Sequence, residues 1–335
     1  MKIEIIAEMA QGFEGNFNQA KLLVSAAASA GANAAKFQLV YADELATPDY
    51  EFYDFFKSLE MDDEEWVSLK KYSDEKQIKL YLDVFGTKSL DLCEKVDIKT
   101  IKLHPTDINN LTLLQSISAS KIENIILGVG GASLDEIEYA LNFLDRKKID
   151  LLLGFQSYPT ENKDNQIFRL KTLSKLMKKK FSNFRIGFAD HAPPNAGLMH
   201  ALSCTAIGAG AKVLEKHLTL GKVMKLEDYE SALNPDEFKE FVEVINQSAL
   251  ALGNVDDFSD DFEMSVSEKK YRKAIRRHVV TSKPLKKGHT IGEDDVLLKR
   301  TASMNVIYDL NKVYQKKILK DLGNNEPILE NNITK

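Results

Sequence analysis

The chain has 335 residues, 44% of them hydrophobic and 28% charged, and its formal net charge at pH 7 is −5. This length exceeds what one ordinary core holds, so we expect one large domain and a small one. The slight acidic excess argues against a nucleic-acid-binding surface and a polybasic membrane anchor, and no apolar run approaches the roughly 20 residues of a membrane helix.

Two further features concern the cellular compartment. The two cysteines, Cys93 and Cys204, lie far apart, which argues against a disulfide framework and against a cysteine-rich zinc site. The amino terminus is too short and too quickly acidic to be a signal peptide. We therefore expect a cytoplasmic protein.

Short apolar runs alternate with longer amphipathic stretches along most of the chain. The runs predict eight β-strands, at residues 3–7, 34–39, 79–84, 100–104, 124–129, 151–156, 185–190 and 213–218. The stretches between and after them predict helices at 18–30, 63–76, 134–144, 166–178, 196–208 and 234–251. The last of these helices opens with Asn234 and Pro235, a capping residue before proline at the first helical position.

Eight β-then-α units within about 250 residues are typical of a (β/α)8 TIM barrel, an α/β fold that we predict for residues 1–252. The alternative is a doubly wound open sheet, but no GxGxxG turn follows the first strand.

The composition changes after Leu252. Residues 253–273 are acidic and then basic, and we predict a linker there. Residues 274–335 predict a small β-rich domain with strands at 278–281 and 296–299. The basic cluster at 269–277 admits a nucleic-acid interface, but such a run beside an acidic segment more often forms a solvated or internally paired surface.

Polar residues at the carboxyl ends of the strands indicate where chemistry takes place in a barrel. His191 and His217 lie at the ends of predicted strands seven and eight, which are neighbours about 4.8 Å apart. Two imidazoles at this spacing predict a divalent-metal site, with Glu8 placed to orient a bound water. The alternative is that each histidine only hydrogen-bonds within a polar layer. Asp83 and Glu215 also lie at strand ends, and the sequence assigns them no role.

Lys36 and Lys102 each lie late in a predicted strand. Two such ammonium groups suit the binding of phosphate or carboxylate, while a Schiff-base lysine and a lysine that extends to the rim are the alternatives. The glycine-rich stretch 128–131 predicts either an anion-binding loop or a tight turn.

Short motifs follow one another in a specific order along nearly the whole chain. They are IIAE ending at Glu8, AKFQ ending at Gln38, IK ending at Lys102, YPT from Tyr158, GFADH ending at His191, LEKHLT around His217, and Asp228 followed by ALNPDEF at 232–238. In these motifs the chain resembles the sialic acid synthase family, the phosphoenolpyruvate-dependent synthases of nine-carbon 2-keto sugar acids. Residues 286–300 resemble part of that family's small antifreeze-like (SAF) domain.

The resemblance implies a transferase that condenses phosphoenolpyruvate with an N-acetylmannosamine-type aldose and releases phosphate. It implies a divalent ion, Mn²⁺ with Mg²⁺ or Co²⁺ as alternatives, and small-molecule substrates rather than nucleic acid or membrane. It also implies a domain-swapped homodimer, in which the small domain of one subunit reaches the sugar site of the other. By resemblance, the metal ligands are His191 and His217, the residues at the reacting phosphoenolpyruvate are Glu8, Lys36, Lys102 and Gln156, and the sugar-side residues are Gln38, Asp107, Tyr158, Asp228 and Arg300.

Several positions depart from the family pattern. Phe13 replaces a histidine, Asp83 lies in a segment that is usually Ser-Thr-Pro-Phe, and HPTD at 104–107 replaces Gly-Ser-Gly-Glu. Residues 128–131 and Ala189 also lack the hydroxyls that family members carry. We therefore expect a rebuilt phosphate site that uses His104 or Thr106. The alternatives to the leading function are the same reaction on a different aldose, and a degenerate, non-catalytic sugar-binding barrel.

Overall fold

The structure is a computed structural model that describes residues 2–154, 157–195, 198–253, 263–303 and 305–334. Within it the chain divides into two units, Met1–Phe258 and Ser259–Lys335. This division falls inside the segment that the sequence predicts as a linker.

The first unit contains eight parallel strands that close into a barrel, with β1 hydrogen-bonded to both β2 and β8. The strands are β1 (Glu4–Ala10), β2 (Ala34–Leu39), β3 (Lys79–Val84), β4 (Thr100–Leu103), β5 (Asn124–Gly128), β6 (Lys148–Gly154), β7 (Phe184–Asp190) and β8 (Val213–His217). The TIM-barrel prediction is confirmed. Two predicted strands, 34–39 and 79–84, have the observed bounds, while β6 starts at 148 rather than at 151.

Helices connect the strands of the barrel. They are α1 (Phe17–Ala30), α2 (Ala42–Leu45), α3 (Tyr53–Ser58), α4 (Asp63–Glu75), α5 (Thr87–Lys95), α6 (Leu111–Ala119), α7 (Leu134–Leu144), α8 (Arg169–Met177), α9 (Ala201–Gly208) and α10 (Pro235–Ala251). The capping box of α10 is present, formed by Asn234 and Glu237.

The sequence did not predict helix α5, because part of its amino-terminal cap comes from a distant segment. The carboxylate of Glu44 accepts hydrogen bonds from the backbone N–H groups of Lys88, at 2.6 Å, and Ser89, at 3.1 Å. A side chain at Gly86 would collide with this carboxylate, since an added Cβ would lie 2.3 Å from it. The start of the helix therefore depends on a contact between residues more than 40 positions apart.

Alternation along the strands builds the barrel interior in layers, because every second side chain points inward. One buried apolar layer consists of Ile6, Ala34, Tyr81, Ile126, Leu152, Ala189 and Val213. Two residues further toward the carboxyl ends, the same faces of four strands carry Glu8, Lys36, Asp83 and Glu215, all of them buried. The strand register pairs Glu8 with Lys36 and with His217, so these side chains start from the same level.

The amino-terminal end of the barrel carries a separate ion-pair network around Glu4. Its carboxylate accepts hydrogen bonds from the Tyr81 hydroxyl, at 2.5 Å, and the Arg185 guanidinium, at 2.7 Å. Burial alone would raise the pKa of Glu4, but these hydrogen bonds and the charge of Lys79 lower it to about 2.

This lowered pKa predicts a pH-dependent contribution to stability. The unfolded carboxyl titrates near 4.5, so Glu4 stabilises the fold above that pH, and the contribution is lost as the pH falls toward 2. We expect the difference in free energy of unfolding between the wild type and Glu4→Gln, measured by urea denaturation, to be larger near pH 6 than near pH 3. An equal difference at both pH values would contradict this role.

The second unit has its own apolar core and a two-stranded antiparallel sheet, β9 (His278–Thr281) with β10 (Val296–Lys299). Both strands have the predicted bounds. A helix, α11 (Val266–Ile275), occupies part of the predicted linker, because Ser265 and Glu268 form a capping box there. Residues 254–262 of that linker lie outside the described residues.

Across the part of the chain that the structure describes, no helix combines the length and apolar character needed to cross a membrane.

Candidate active site

A cavity of about 400 Å³ lies at the carboxyl ends of the strands, where the sequence predicts the active site. Predicted site residues that line it are Glu8, Gln38, Lys102, Tyr158, His191, His217 and Asp228. The other lining residues are Gln11, Leu45, Phe56, Phe85, His104, Pro105, Thr106, Gly128, Leu152, Gly154, Ala189 and Glu227. Strands from opposite sides of the barrel thus contribute to one site.

The two predicted metal ligands lie side by side. His191 follows β7, His217 ends β8, and their ring centroids are 5.0 Å apart. Nδ1 of His191 lies 3.3 Å from the Ala189 carbonyl oxygen, and Nδ1 of His217 lies 3.8 Å from a carboxylate oxygen of Asp228. Nε2 of His217 is buried and has no hydrogen-bond partner among the described residues. A buried nitrogen without a partner is costly, which indicates a place for a ligand.

The protonation state of the pair suits metal binding. Burial, reinforced by the positive charge of Lys102, lowers the pKa of His191 to about 3. Burial and the neighbouring His191 lower the pKa of His217 well below its usual range. Both rings are therefore neutral at pH 7, which is the form of imidazole that coordinates metal ions.

The described residues offer only part of a metal coordination shell. Among them, no group of three or more His, Cys, Asp or Glu side chains is arranged to hold a metal ion. The orphaned Nε2 of His217 and the neutral ring of His191 fit a divalent ion with two protein ligands. Its other positions would be open to water and substrate, as the chemistry of catalytic metal sites requires.

Five buried ionic side chains, which we call the ionic cluster, adjoin the histidines: Glu8, Lys36, Asp83, Lys102 and Glu215. The ammonium of Lys36 contacts Glu8 and lies 2.7 Å from Oδ1 of Asp83. The ammonium of Lys102 lies 2.7 Å from Oε1 of Glu215 and 3.7 Å from Oδ2 of Asp83. Three carboxylates thus share two ammonium groups.

This excess of carboxylates separates the pKa values within the ionic cluster. Burial, together with the charges of Glu215 and Asp83, raises the pKa of Glu8 to about 8, although Lys36 opposes the shift. Burial would also raise the pKa of Glu215, but Lys102 and Lys36 lower it to about 2. Glu8 therefore holds a proton more readily than an ordinary carboxyl group, whereas Glu215 stays ionised, and such a division of roles suits general acid–base chemistry.

The two predicted substrate lysines differ in their access to the cavity. Lys102 lines it, whereas Lys36 is wholly buried and contacts Glu8 and Asp83 instead. In the described structure Lys36 therefore holds the carboxylates in place. Its contact with phosphoenolpyruvate stays a prediction.

A bulge in β1 aims the Glu8 side chain. The pairing of β1 with β2 shifts between Glu8 and Ala10, and Ala10 has a left-handed backbone with φ of 45°. That conformation costs a residue other than glycine about 1–2 kcal/mol. The Ala10 N–H donates a 2.6 Å hydrogen bond to Oε1 of Glu8, which offsets part of this cost and fixes the carboxylate.

Three predicted sugar-side residues, Gln38, Tyr158 and Asp228, line the cavity. The Tyr158 ring centroid is 6.3 Å from that of each histidine. Tyr158 is hydrogen-bonded to Asp228, and burial raises the pKa of Asp228 to about 6 although this hydrogen bond opposes the shift. Gln38 accepts a 2.9 Å hydrogen bond from Gln11.

Of the remaining predicted residues, Asp107 is the one in the described part of the barrel unit, and it does not line the cavity. Asp107 belongs to a short 3₁₀ turn, Pro105–Asp107, and accepts a 2.9 Å hydrogen bond from Asn110. Arg300 belongs to the second unit, where its Nε donates to the Ile275 carbonyl oxygen. Gln156 lies outside the described residues. The roles of all three stay predictions.

The departures from the family pattern have structural explanations. Phe13, at a position where the family has histidine, is buried against Phe37 and Trp66 and belongs to the core. Gly128 accommodates Pro105, because a Cβ added there would lie 2.6 Å from the proline ring. His104 lines the cavity, and burial, with help from Lys102, lowers its pKa to about 4.

Sequence reasoning missed the segment that follows β2. Leu45 and Phe56 line the cavity and come from the connection between β2 and α4. The available signal was composition, since five aromatic residues fall within positions 50–56. Apolar clustering alone did not show that this connection turns toward the site.

Comparison with known proteins identifies the family. The NeuB family model matches residues 23–257, which is more than half of the chain. The chain belongs to the NeuB family. N,N'-diacetyllegionaminic acid synthase of Campylobacter jejuni is 30% identical over 321 residues, covering 90% of this chain and 91% of that protein. An uncharacterised protein of Methanocaldococcus jannaschii is 30% identical over 320 residues, which cover 95% of this chain and 90% of that protein.

A solved structure is also similar to this chain. The crystal structure of N-acetylneuraminic acid (sialic acid) synthetase from Leptospira borgpetersenii, in complex with citrate, superposes with a TM-score of 0.73 at 28% identity. The match covers 82% of this chain and 92% of that one. The resemblance to sialic acid synthases seen in the sequence motifs is therefore confirmed.

Proposed function

We propose that this NeuB-family protein condenses phosphoenolpyruvate with an amino-sugar aldose and releases a nonulosonic acid and phosphate. The observation that carries the proposal is one cavity lined by two neutral imidazoles, His191 and His217, together with Glu8 and Lys102. The relatives' names, which are sialic, legionaminic and pseudaminic acid synthases, support this reaction class.

The proposed reaction forms one carbon–carbon bond and, at C2, replaces the bond to the phosphate oxygen with a bond to the oxygen of water. C3 of phosphoenolpyruvate attacks the aldehyde carbon, water adds to C2, and phosphate leaves with the C2–O bond broken, so that a 2-keto acid remains. Glu8, with its raised pKa, is placed to take the proton of the incoming water. Asp228, whose pKa is also raised, is placed to supply the proton that the aldehyde oxygen takes up.

Among the described residues, Lys102 is the cation that lines the cavity and can hold the anionic groups of phosphoenolpyruvate. His104 and Thr106, which follow Lys102 along the chain, also line the cavity and provide neutral polar groups in place of the missing family hydroxyls. Because these groups are already fixed in place, the site needs little reorganisation around the phosphate and the carboxylate during the reaction.

The charge of the cavity favours a divalent ion. Even with Glu8 protonated, the described acidic residues Glu227 and Asp228 outnumber Lys102, so a trianionic substrate needs further positive charge. We propose that His191 and His217 hold that ion, Mn²⁺ or alternatively Mg²⁺ or Co²⁺. When bound, it would polarise the acceptor carbonyl and add positive charge for the anion.

Phosphate release tests this proposal. Purified protein with Mn²⁺, phosphoenolpyruvate and a panel of 2-acetamido and 2,4-diacetamido aldoses is expected to release phosphate only when an acceptor is present. A chelator is expected to stop the release, and Mn²⁺ to restore it. A sugar-binding barrel without catalysis would instead show heat of sugar binding in calorimetry with no phosphate from any acceptor, and that result would overturn the proposal.

A further inference from the structure

A buried ion pair lies beside the two candidate metal ligands. Asp190 immediately precedes His191, Lys216 immediately precedes His217, and the strand register pairs Asp190 with Lys216. The ammonium of Lys216 lies 3.1 Å from Oδ1 of Asp190, and both residues are at most 2% exposed. Neither is among the described residues that line the active-site cavity. We call Asp190 and Lys216 the buried pair.

The Lys216 ammonium holds the backbone on both sides of His191. Besides the Asp190 carboxylate, it donates hydrogen bonds to the carbonyl oxygens of Asp190, at 3.3 Å, and Ala192, at 2.9 Å. These three acceptors match the three N–H donors of an ammonium group. Strand β7 ends at Asp190, and a buried carbonyl beyond the end of a strand needs a donor from elsewhere. Lys216 supplies the donors for both carbonyls.

The remaining polar groups of this short stretch are also held. The carbonyl oxygen of His191 accepts hydrogen bonds from the Ser231 hydroxyl, at 2.7 Å, and from the Thr160 N–H, at 3.0 Å. The Asp190 carboxylate accepts a 3.2 Å hydrogen bond from the Ser203 hydroxyl of α9. The backbone of residues 190–192, which carries the first imidazole, is therefore fixed from several elements at once.

Packing alone does not account for an ion pair at this place. Burying two charges costs much of what their attraction returns, and apolar side chains of similar volume often stabilise a core as well or better. An apolar pair could not supply N–H donors to the carbonyls that flank His191. The two imidazole rings have centroids 5.0 Å apart, and groups behind a metal ligand are what orient its ring.

We propose that Lys216, together with Asp190, is a positioning residue that holds His191 where it and His217 bind the same divalent ion. The buried pair acts through the backbone of residues 190–192 and not through contact with the ion or a substrate. The inference rests on the proposed function, because it concerns the metal site proposed there. Groups that support metal ligands in this way typically contribute about 10–100-fold to metal affinity.

Calorimetric titration of the chelator-treated protein with Mn²⁺ tests this role independently of turnover. Lys216→Met removes all three donors, and we expect its Kd for Mn²⁺ to be about 10–100-fold higher than that of the wild type. Charge alone predicts the opposite, since loss of a nearby ammonium would strengthen cation binding. An unchanged or lower Kd in the folded variant would overturn the inference and leave the proposed function intact. A wild-type protein that binds no Mn²⁺ would overturn the proposed metal site as well.

Two further variants separate positioning from folding. Lys216→Met/Asp190→Asn leaves no unpaired charge in the buried pair, which covers the case in which the single variant folds poorly, and its Kd is expected to stay at least about 10-fold raised. Lys147→Met is the matched control. Lys147 is also buried and donates to two backbone carbonyls, those of Ser120, at 2.7 Å, and Ile122, at 2.9 Å, but it lies at the amino-terminal end of β6. This control is expected to lose stability and to bind Mn²⁺ as the wild type does. A wild-type Kd in the double variant, or equal weakening in the control, would contradict the assignment.

Discussion

Replacing His217 with alanine is expected to remove divalent-metal binding at the cavity and to lower kcat/KM for phosphate release by at least about 1,000-fold. The reason is that Nε2 of His217 is buried and without a hydrogen-bond partner among the described residues, while its ring lies beside that of His191. Loss of one of two imidazoles leaves too few ligands to retain an ion. Calorimetric titration with Mn²⁺ and the phosphate-release assay measure the two effects separately.

His200→Gln is the matched control for this experiment. The His200 ring stacks on Phe241 of α10 and does not line the cavity. This variant is expected to bind Mn²⁺ and to release phosphate as the wild type does, even if its thermal stability changes. Unchanged Mn²⁺ binding and turnover in folded His217→Ala would show that the metal assignment is wrong.

A comparably large effect, on folding rather than on chemistry, is expected from Lys36→Met. The ammonium of Lys36 is wholly buried between the carboxylates of Glu8 and Asp83. Its removal leaves two buried carboxylates without their nearest positive charge. Breaking a buried ion pair in this way costs about 3–5 kcal/mol of unfolding free energy, which urea denaturation at neutral pH measures.

The double variant Lys36→Met/Asp83→Asn tests whether this loss arises from the ion pair. Removing both charges is expected to recover about 1–3 kcal/mol relative to Lys36→Met alone. Lys70→Met, which breaks a surface pair with Asp74, is the control and is expected to have a much smaller effect. If the double variant instead lost the sum of the unfolding free energies that the two single variants lose, Lys36 and Asp83 would not interact, which would contradict the arrangement of the ionic cluster.

The barrel was predictable because its signals are local. Apolar runs of strand length recur between amphipathic stretches, and those at 34–39 and 79–84 have the observed bounds. The parallel register then brings strand-end residues together, so the positions of Glu8 and His217 also followed from the sequence. The capping box of α10 was visible for the same reason, since all of its parts lie within four residues.

The features that could not be predicted from the sequence depend on contacts between distant segments. The cap of α5 comes from Glu44, and the neutralisation of Lys36 comes from Asp83, and in both cases the partners lie more than 40 residues apart. Strand position identified Asp83 and Glu215 as polar residues, but it could not show that they share two lysines. The contribution of Leu45 and Phe56 to the cavity escaped prediction because both residues belong to a connection without a regular period.

The most direct measurement follows the bridging oxygen of phosphoenolpyruvate during turnover. Phosphoenolpyruvate labelled with ¹⁸O between C2 and phosphorus is incubated with the protein, Mn²⁺ and the preferred acceptor, and both products are analysed by mass spectrometry. We expect the label to leave with phosphate and the sugar acid to gain the three carbons of phosphoenolpyruvate. Label retained in free pyruvate, with an unchanged acceptor sugar, would show simple phosphate-ester hydrolysis and would rule out the proposed condensation.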